Sequence, residues 1–236
     1  MTQKVLITGA NKGLGFETAR QLGNKGWAIL LGARDEVRGT EAVKTLQQKG
    51  INAEWIKIDF NDLTTIHEAA KYVENNHADL NVLINNAGIS GNMEASPLDV
   101  DIEELKTVTE VNVYGNFEMV KSFTPILASN KGRILNLTIP TKPSNFFHPF
   151  SYMTTKTALN SMIKLFAKYF KKHKISVEIF GVMPGGITTD LNNNQKGFLM
   201  RTVNEGAQSI VNVIMDKRNH NGKILIRLRP FKIFKK

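Results

Sequence analysis

Thr8-Gly9-Ala10-Asn11-Lys12-Gly13-Leu14-Gly15 follows the apolar run Val5–Ile7 and precedes an amphipathic stretch. Its reading decides the fold. Three glycines between a strand and a helix allow a sharp turn and bring backbone N–H groups to a helix N-terminus, where an anionic phosphate is favoured. The spacing is G-x-x-x-G-x-G, and taken alone it also suits a glycine-rich turn that holds no ligand.

Working outward, apolar runs of strand length alternate with amphipathic stretches of helical period. Strands are predicted at Lys4–Thr8, Trp27–Gly32, Glu54–Ile58, Val82–Asn85, Gly132–Leu137, Ser176–Met183 and Lys223–Leu228. Helices are predicted over 14–24, 36–49, 63–76, 99–128, 151–172 and 202–215. Alternation of this kind specifies an α/β, doubly wound Rossmann fold: a seven-stranded parallel sheet flanked by helices. No linker-like or repetitive tract divides residues 1–236, so a single dinucleotide-binding domain is expected. Two irregular stretches, 140–150 and 188–200, follow strands at their carboxyl ends, where such sheets bind ligands, and are read as substrate loops.

Composition narrows the class. The chain has 236 residues, 42% of them hydrophobic and 22% charged, with no cysteine. No apolar stretch reaches the length of a membrane span, and no signal peptide is evident. The absence of thiols excludes disulfides and thiolate metal sites and fits a reducing cytoplasm. Net charge is +10, but the basic residues are spread along the chain. Lys168, Lys171, Lys172 and Lys174 read as a solvated helix face, and the C-terminal basic residues as a tail, in preference to a nucleic-acid surface. No metal centre is expected; His148 has no companion at ligand spacing.

Two further runs carry chemistry. Asn85-Asn86-Ala87-Gly88 ends the fourth strand. Tyr152 and Lys156 lie four residues apart on a predicted helix and so share a face, where an ammonium is expected to lower the phenol's pKa toward working pH. Together the Thr-Gly-x-x-x-Gly-x-Gly, Asn-Asn-Ala-Gly and Tyr-x-x-x-Lys runs resemble the short-chain dehydrogenase/reductases over nearly the whole chain, with carbonyl-reductase-like members most similar.

The resemblance implies an NADP(H)-dependent oxidoreductase acting on a small-molecule carbonyl compound. Tyr152 is then the general acid, Lys156 tunes it and holds the nicotinamide ribose, and Asn112 kinks a helix and serves the proton relay. Cofactor contacts are implied at Gly9, Asn11, Lys12, Gly13, Leu14, Gly15, Asp59, Phe60, Asn86, Ala87 and Gly88, and at Tyr152 and Lys156. Pro184, Gly185, Ile187 and Thr189 would meet the nicotinamide carboxamide. Arg34, after the second strand, can fork onto a 2′-phosphate with Lys12 as a second cation, which favours NADP(H) over NAD(H). Asp35 is the competing reading, as a ribose ligand for NAD(H). Family members form homodimers or homotetramers through long helices, and Phe166 and Phe170 suit either such an interface or the core.

One position departs from the pattern. The family's fifth strand ends in Asn-x-Ser-Ser, and its second serine holds the substrate oxygen. Here the run is Asn136-Leu137-Thr138-Ile139, and isoleucine neither donates nor accepts a hydrogen bond. Thr138 or Thr141 can stand in if the strand end shifts. Otherwise the chain is a weakly active or inactive NADP(H)-binding sensor or interaction protein. Ile139, Phe146 and Phe147, together with Thr138, are expected to border an apolar substrate site.

Overall fold

A computed structural model describes residues 2–140, 149–189 and 200–227. Seven parallel strands form one sheet: β1 (Lys4–Thr8), β2 (Ala28–Ala33), β3 (Ala53–Lys57), β4 (Val82–Asn85), β5 (Arg133–Leu137), β6 (Glu178–Met183) and, after two short strands, β9 (Ile224–Ile226). Their spatial order is β3-β2-β1-β4-β5-β6-β9. Chain order reverses between β1 and β4, and the crevice beyond the carboxyl ends of those strands is where sheets of this kind take ligands. The glycine-rich turn leaves β1 there, and Asn86–Gly88 leaves β4.

The strands are buried on both faces, as a parallel sheet covered by helices requires. Leu6, Leu30, Leu83, Ile134 and Ile179 pack beneath the helices α3 (Thr64–Asn76), α5 (Asn116–Ser129) and α6 (Phe150–Lys172). Val5, Ile7, Ile29, Leu31, Leu135 and Phe180 belong to the opposite core, which is covered by α1 (Gly13–Gly23), α2 (Glu36–Gln47) and α7 (Val203–Met215). Phe170 sits in the first core, while Phe166 is partly exposed and packs both on that core and on the exposed Phe117 ring. Leu165 and Tyr169 are the exposed apolar residues there. Among the described residues no helix is long and apolar enough to cross a membrane.

Two features differ from the sequence expectation. The helix predicted over 99–128 is three pieces: α4 (Ile102–Thr109), a π-helical turn (Glu110–Gly115) and α5. Asn112 and Asn116 account for the break. The Asn116 side chain donates to the Asn112 carbonyl at 3.0 Å, competing with the regular ladder, while the Asn112 amide bonds outside the helix. Such π turns often mark functional positions. The short pair β7 (Gly186–Ile187) and β8 (Met200–Arg201) was also unexpected, since two-residue strands have no periodicity to read.

Candidate active site

The turn after β1 is built by close backbone approach. A Cβ on Gly15 would lie 2.6 Å from Asn86 Nδ2 and 2.7 Å from the Gly9 carbonyl oxygen, so only glycine fits. Asn86 Nδ2 donates to the carbonyls of Thr8, at 2.8 Å, and Gly9, at 3.1 Å. The backbone N–H groups of Asn86 and Ala87 both donate to Thr8 Oγ1 at 3.0 Å. Thr8 thus stitches β1 to β4, a role its residue type alone does not signal. Lys12 is the N-cap of α1 and contributes no side-chain cap, which leaves the first N–H groups of α1 without a partner from that side chain. Asn11 and Leu14 are partly exposed beside them, and space is open around Gly13.

Arg34 is exposed just past β2. Asp35, its rival, is the N-cap of α2: one carboxylate oxygen accepts from Arg38 N at 2.8 Å. Beyond β3, Asp59 is partly buried and accepts from Asn61 N at 3.0 Å. The Phe60 side chain is buried against Gly115, which leaves its backbone as the part able to face the crevice.

Lys156 is 4% exposed on α6, and its Nζ donates to the carbonyl of Leu137, the last residue of β5, at 2.9 Å. Nζ lies 5.5 Å from the centroid of the Tyr152 ring. Asn112, fully buried, accepts from Ile89 N at 2.9 Å and donates to the Ile89 carbonyl at 2.8 Å, with a second donation to Thr155 Oγ1 at 3.1 Å. It therefore ties the chain leaving β4 to the helix carrying Tyr152. Gly88 packs against Asn112 and Lys156. At the start of α6, Ser151 Oγ donates to Glu104 at 2.8 Å, fixing that end of the helix to α4.

The electrostatics reverse one expectation. Burial pushes the Tyr152 phenol up to about 12, and the nearby ammonium does not bring it down. Burial likewise holds Lys156 down at about 8. In a dry crevice the cost of charging each group outweighs their mutual attraction across this distance. The consequence for nucleotide-free protein has a definite sign. Between about pH 8 and 10 the unfolded chain keeps the Lys156 proton and the native state has lost it, so stability rises with pH; above 10, Tyr152 acts in the opposite sense. Urea unfolding across this range should show wild type gaining about 2 kcal/mol relative to Lys156→Met between pH 8 and 10. Parallel curves would disprove the burial effect.

At the end of β5, Thr138 Oγ1 donates to Asn160 Oδ1 at 2.7 Å, and Asn160 Nδ2 donates to the Ile139 carbonyl at 2.9 Å. Thr138 is 3% exposed, and its hydroxyl proton is committed to Asn160. Asn160 has no motif to announce it. Ile139 is partly exposed. Thr141, Phe146 and Phe147 lie outside the described residues, as does most of the 188–200 stretch. Pro184, Gly185, Ile187 and Thr189 follow β6 and run through β7, at the same edge of the crevice.

The sequence of residues 3–198 matches the family model for short chain dehydrogenases. A short-chain dehydrogenase from Penicillium roqueforti is 34% identical over 225 residues, covering 88% of this chain and 86% of that one. Mouse carbonyl reductase [NADPH] 3 is 36% identical over 135 residues, 56% of this chain and 47% of that one. In structure, the NADPH-bound carbonyl reductase from chicken fatty liver superposes with a TM-score of 0.84 over 95% of this chain and 96% of that one, at 22% identity. At that identity the likeness speaks for the fold.

Proposed function

The chain belongs to the short-chain dehydrogenase/reductase family of oxidoreductases, and from that premise we propose that it is an NADPH-dependent reductase of a small aldehyde or ketone. One observation carries the reading: Lys156 and Tyr152 meet on one face of α6 beside the carboxyl ends of β4 and β5, with Asn112 bridging both sides of the crevice. The crevice fits a dinucleotide. Its glycine turn exposes the uncapped N-terminus of α1, suited to a pyrophosphate, and open space lies around Gly13.

Lys12, Gly13, Leu14 and Gly15 would hold the pyrophosphate, with Gly9 and Asn11 completing the turn. Asp59 and the Phe60 backbone would border the adenine, Ala87 and Gly88 the ribose side, and Ile187 and Thr189 the carboxamide. Asn86 supports this wall by holding Thr8 and Gly9 in place. The reduced nicotinamide supplies the hydride. Tyr152, protonated well beyond neutral pH, donates its proton to the carbonyl oxygen, and the Lys156 ammonium stabilises the phenolate left behind.

Arg34 reads the 2′-phosphate, because Asp35 is engaged at the α2 N-cap while the guanidinium is exposed toward solvent. Arg34→Ala should weaken NADPH binding by about tenfold or more and NADH binding by less than about twofold, measured by fluorescence titration. Parallel losses for both cofactors would refute this assignment. Ile139 supports a second reading, an NADP(H)-binding protein with little turnover, which NADPH oxidation against a panel of aldehydes, ketones and quinones separates from the first.

A further inference from the structure

We propose that Arg201 is the positioning residue of the nicotinamide end of the site, a clamp that sets the path of residues 184–189. The inference rests on the cofactor reading given above. Arg201 lies in β8, outside every motif of that reading. Its Nη1 donates to the Pro184 carbonyl at 2.6 Å and to the Arg227 carbonyl at 2.8 Å, and its Nη2 donates to the Glu205 carbonyl at 2.9 Å. One guanidinium thus joins three segments: the turn after β6, the chain after β9 and the first turn of α7.

The backbone of Arg201 grips the same stretch. Gly186 pairs with Met200 and Ile187 with Arg201, and Thr188 N donates to the Arg201 carbonyl at 3.1 Å. The turn is shaped around this side chain. Gly185 has φ +101, and a Cβ there would lie 2.8 Å from Arg201 Cδ. Side chain and main chain of one residue therefore hold both ends of the Pro184–Thr188 segment. Ile187 and Thr189, on and beside it, are the groups assigned to the carboxamide, so a shift of this segment moves the nicotinamide relative to Tyr152.

The fork geometry is essential. A lysine ammonium has three donors but carries them on one nitrogen, and cannot reach carbonyls that two separated guanidinium nitrogens serve in different segments. Among the described residues the buried Arg201 Nε has no hydrogen-bond partner, and the side chain is held by its two terminal nitrogens.

The test compares two ligands on wild type, Arg201→Lys and Arg201→Gln. NADPH contacts the whole crevice, whereas adenosine 2′,5′-bisphosphate occupies only the adenine half. With the clamp lost, NADPH affinity should fall by about tenfold or more, while affinity for the bisphosphate stays within about twofold. In the same variants kcat should fall by more than KM for the carbonyl substrate rises. Parallel loss of both ligands, or full retention of NADPH affinity and kcat in whichever variant folds, would overturn the clamp. Failure of wild type to bind either ligand would instead refute the cofactor reading, and the clamp with it.

Discussion

Tyr152→Phe should lower kcat for carbonyl reduction by about 10³-fold or more and leave the NADPH dissociation constant within about twofold. The substitution removes one oxygen and keeps the ring, so packing at the start of α6 is preserved. No other described group stands ready to replace the acid. Lys156 donates to the Leu137 carbonyl, the Asn112 amide is engaged with Ile89 and Thr155, and the Thr138 hydroxyl is bound to Asn160. The pH profile gives an independent check. Because burial in the nucleotide-free protein keeps the Tyr152 phenol protonated up to about 12 and lets Lys156 lose its charge near 8, kcat/KM for NADPH, which reports the free enzyme, should decline as pH rises through about 8. The loss then comes from the ammonium and not from the acid. Turnover of the Phe variant at the wild-type rate would remove Tyr152 from the mechanism; if in addition Tyr152→Ala lost NADPH binding, Tyr152 would be a cofactor contact only.

Ile139→Ser should raise kcat by about 10²-fold, the usual worth of one donor aimed at a developing oxyanion. Position 139 follows directly on Thr138, whose hydroxyl is unavailable, and precedes Pro140, which has no N–H to offer. The Asn160 amide anchors the Ile139 carbonyl, so the backbone there is held and a serine side chain inherits a defined position. The isoleucine side chain is partly exposed, and its removal creates no deep cavity. Steady-state kinetics on one carbonyl substrate, with NADPH saturating, reads the effect. A rise in kcat would show that the wild-type enzyme works without this donor. A fall in kcat, with KM increased, would show instead that Ile139 contributes apolar contact to a substrate that needs no hydroxyl at this point.

Much of the fold was legible in the residues. Buried parallel strands such as Val5–Ile7 and Leu83–Ile84 are apolar without interruption, and helices packed on one face repeat near every third or fourth residue; both are local patterns. Strand ends moved by a residue or so, as at β2 and β3, because termination depends on which neighbour supplies hydrogen bonds. The break at Glu110–Gly115 was marked by Asn112, but its π character was not. It follows from bonds to Ile89 and Thr155, far away in the chain. Phe166 and Phe170 were ambiguous between core and surface for the same reason, since helical phase does not say what lies opposite.

By itself, then, the sequence determined the layer architecture, the number of its main strands and the three motifs that bring a glycine turn, an asparagine wall and a Tyr-Lys pair to one end of the sheet. These are consequences of short-range periodicity and of residue types with few alternative uses. Tertiary structure decided how those groups are spent. It committed Thr138 to Asn160, turned Asp35 into a helix cap, made Asn86 a brace for the glycine turn and raised the Tyr152 phenol despite its lysine neighbour. It also brought Arg201 onto Pro184. Each outcome depends on partners distant in sequence and on the loss of water around a charge, and neither exists until the chain has closed on itself.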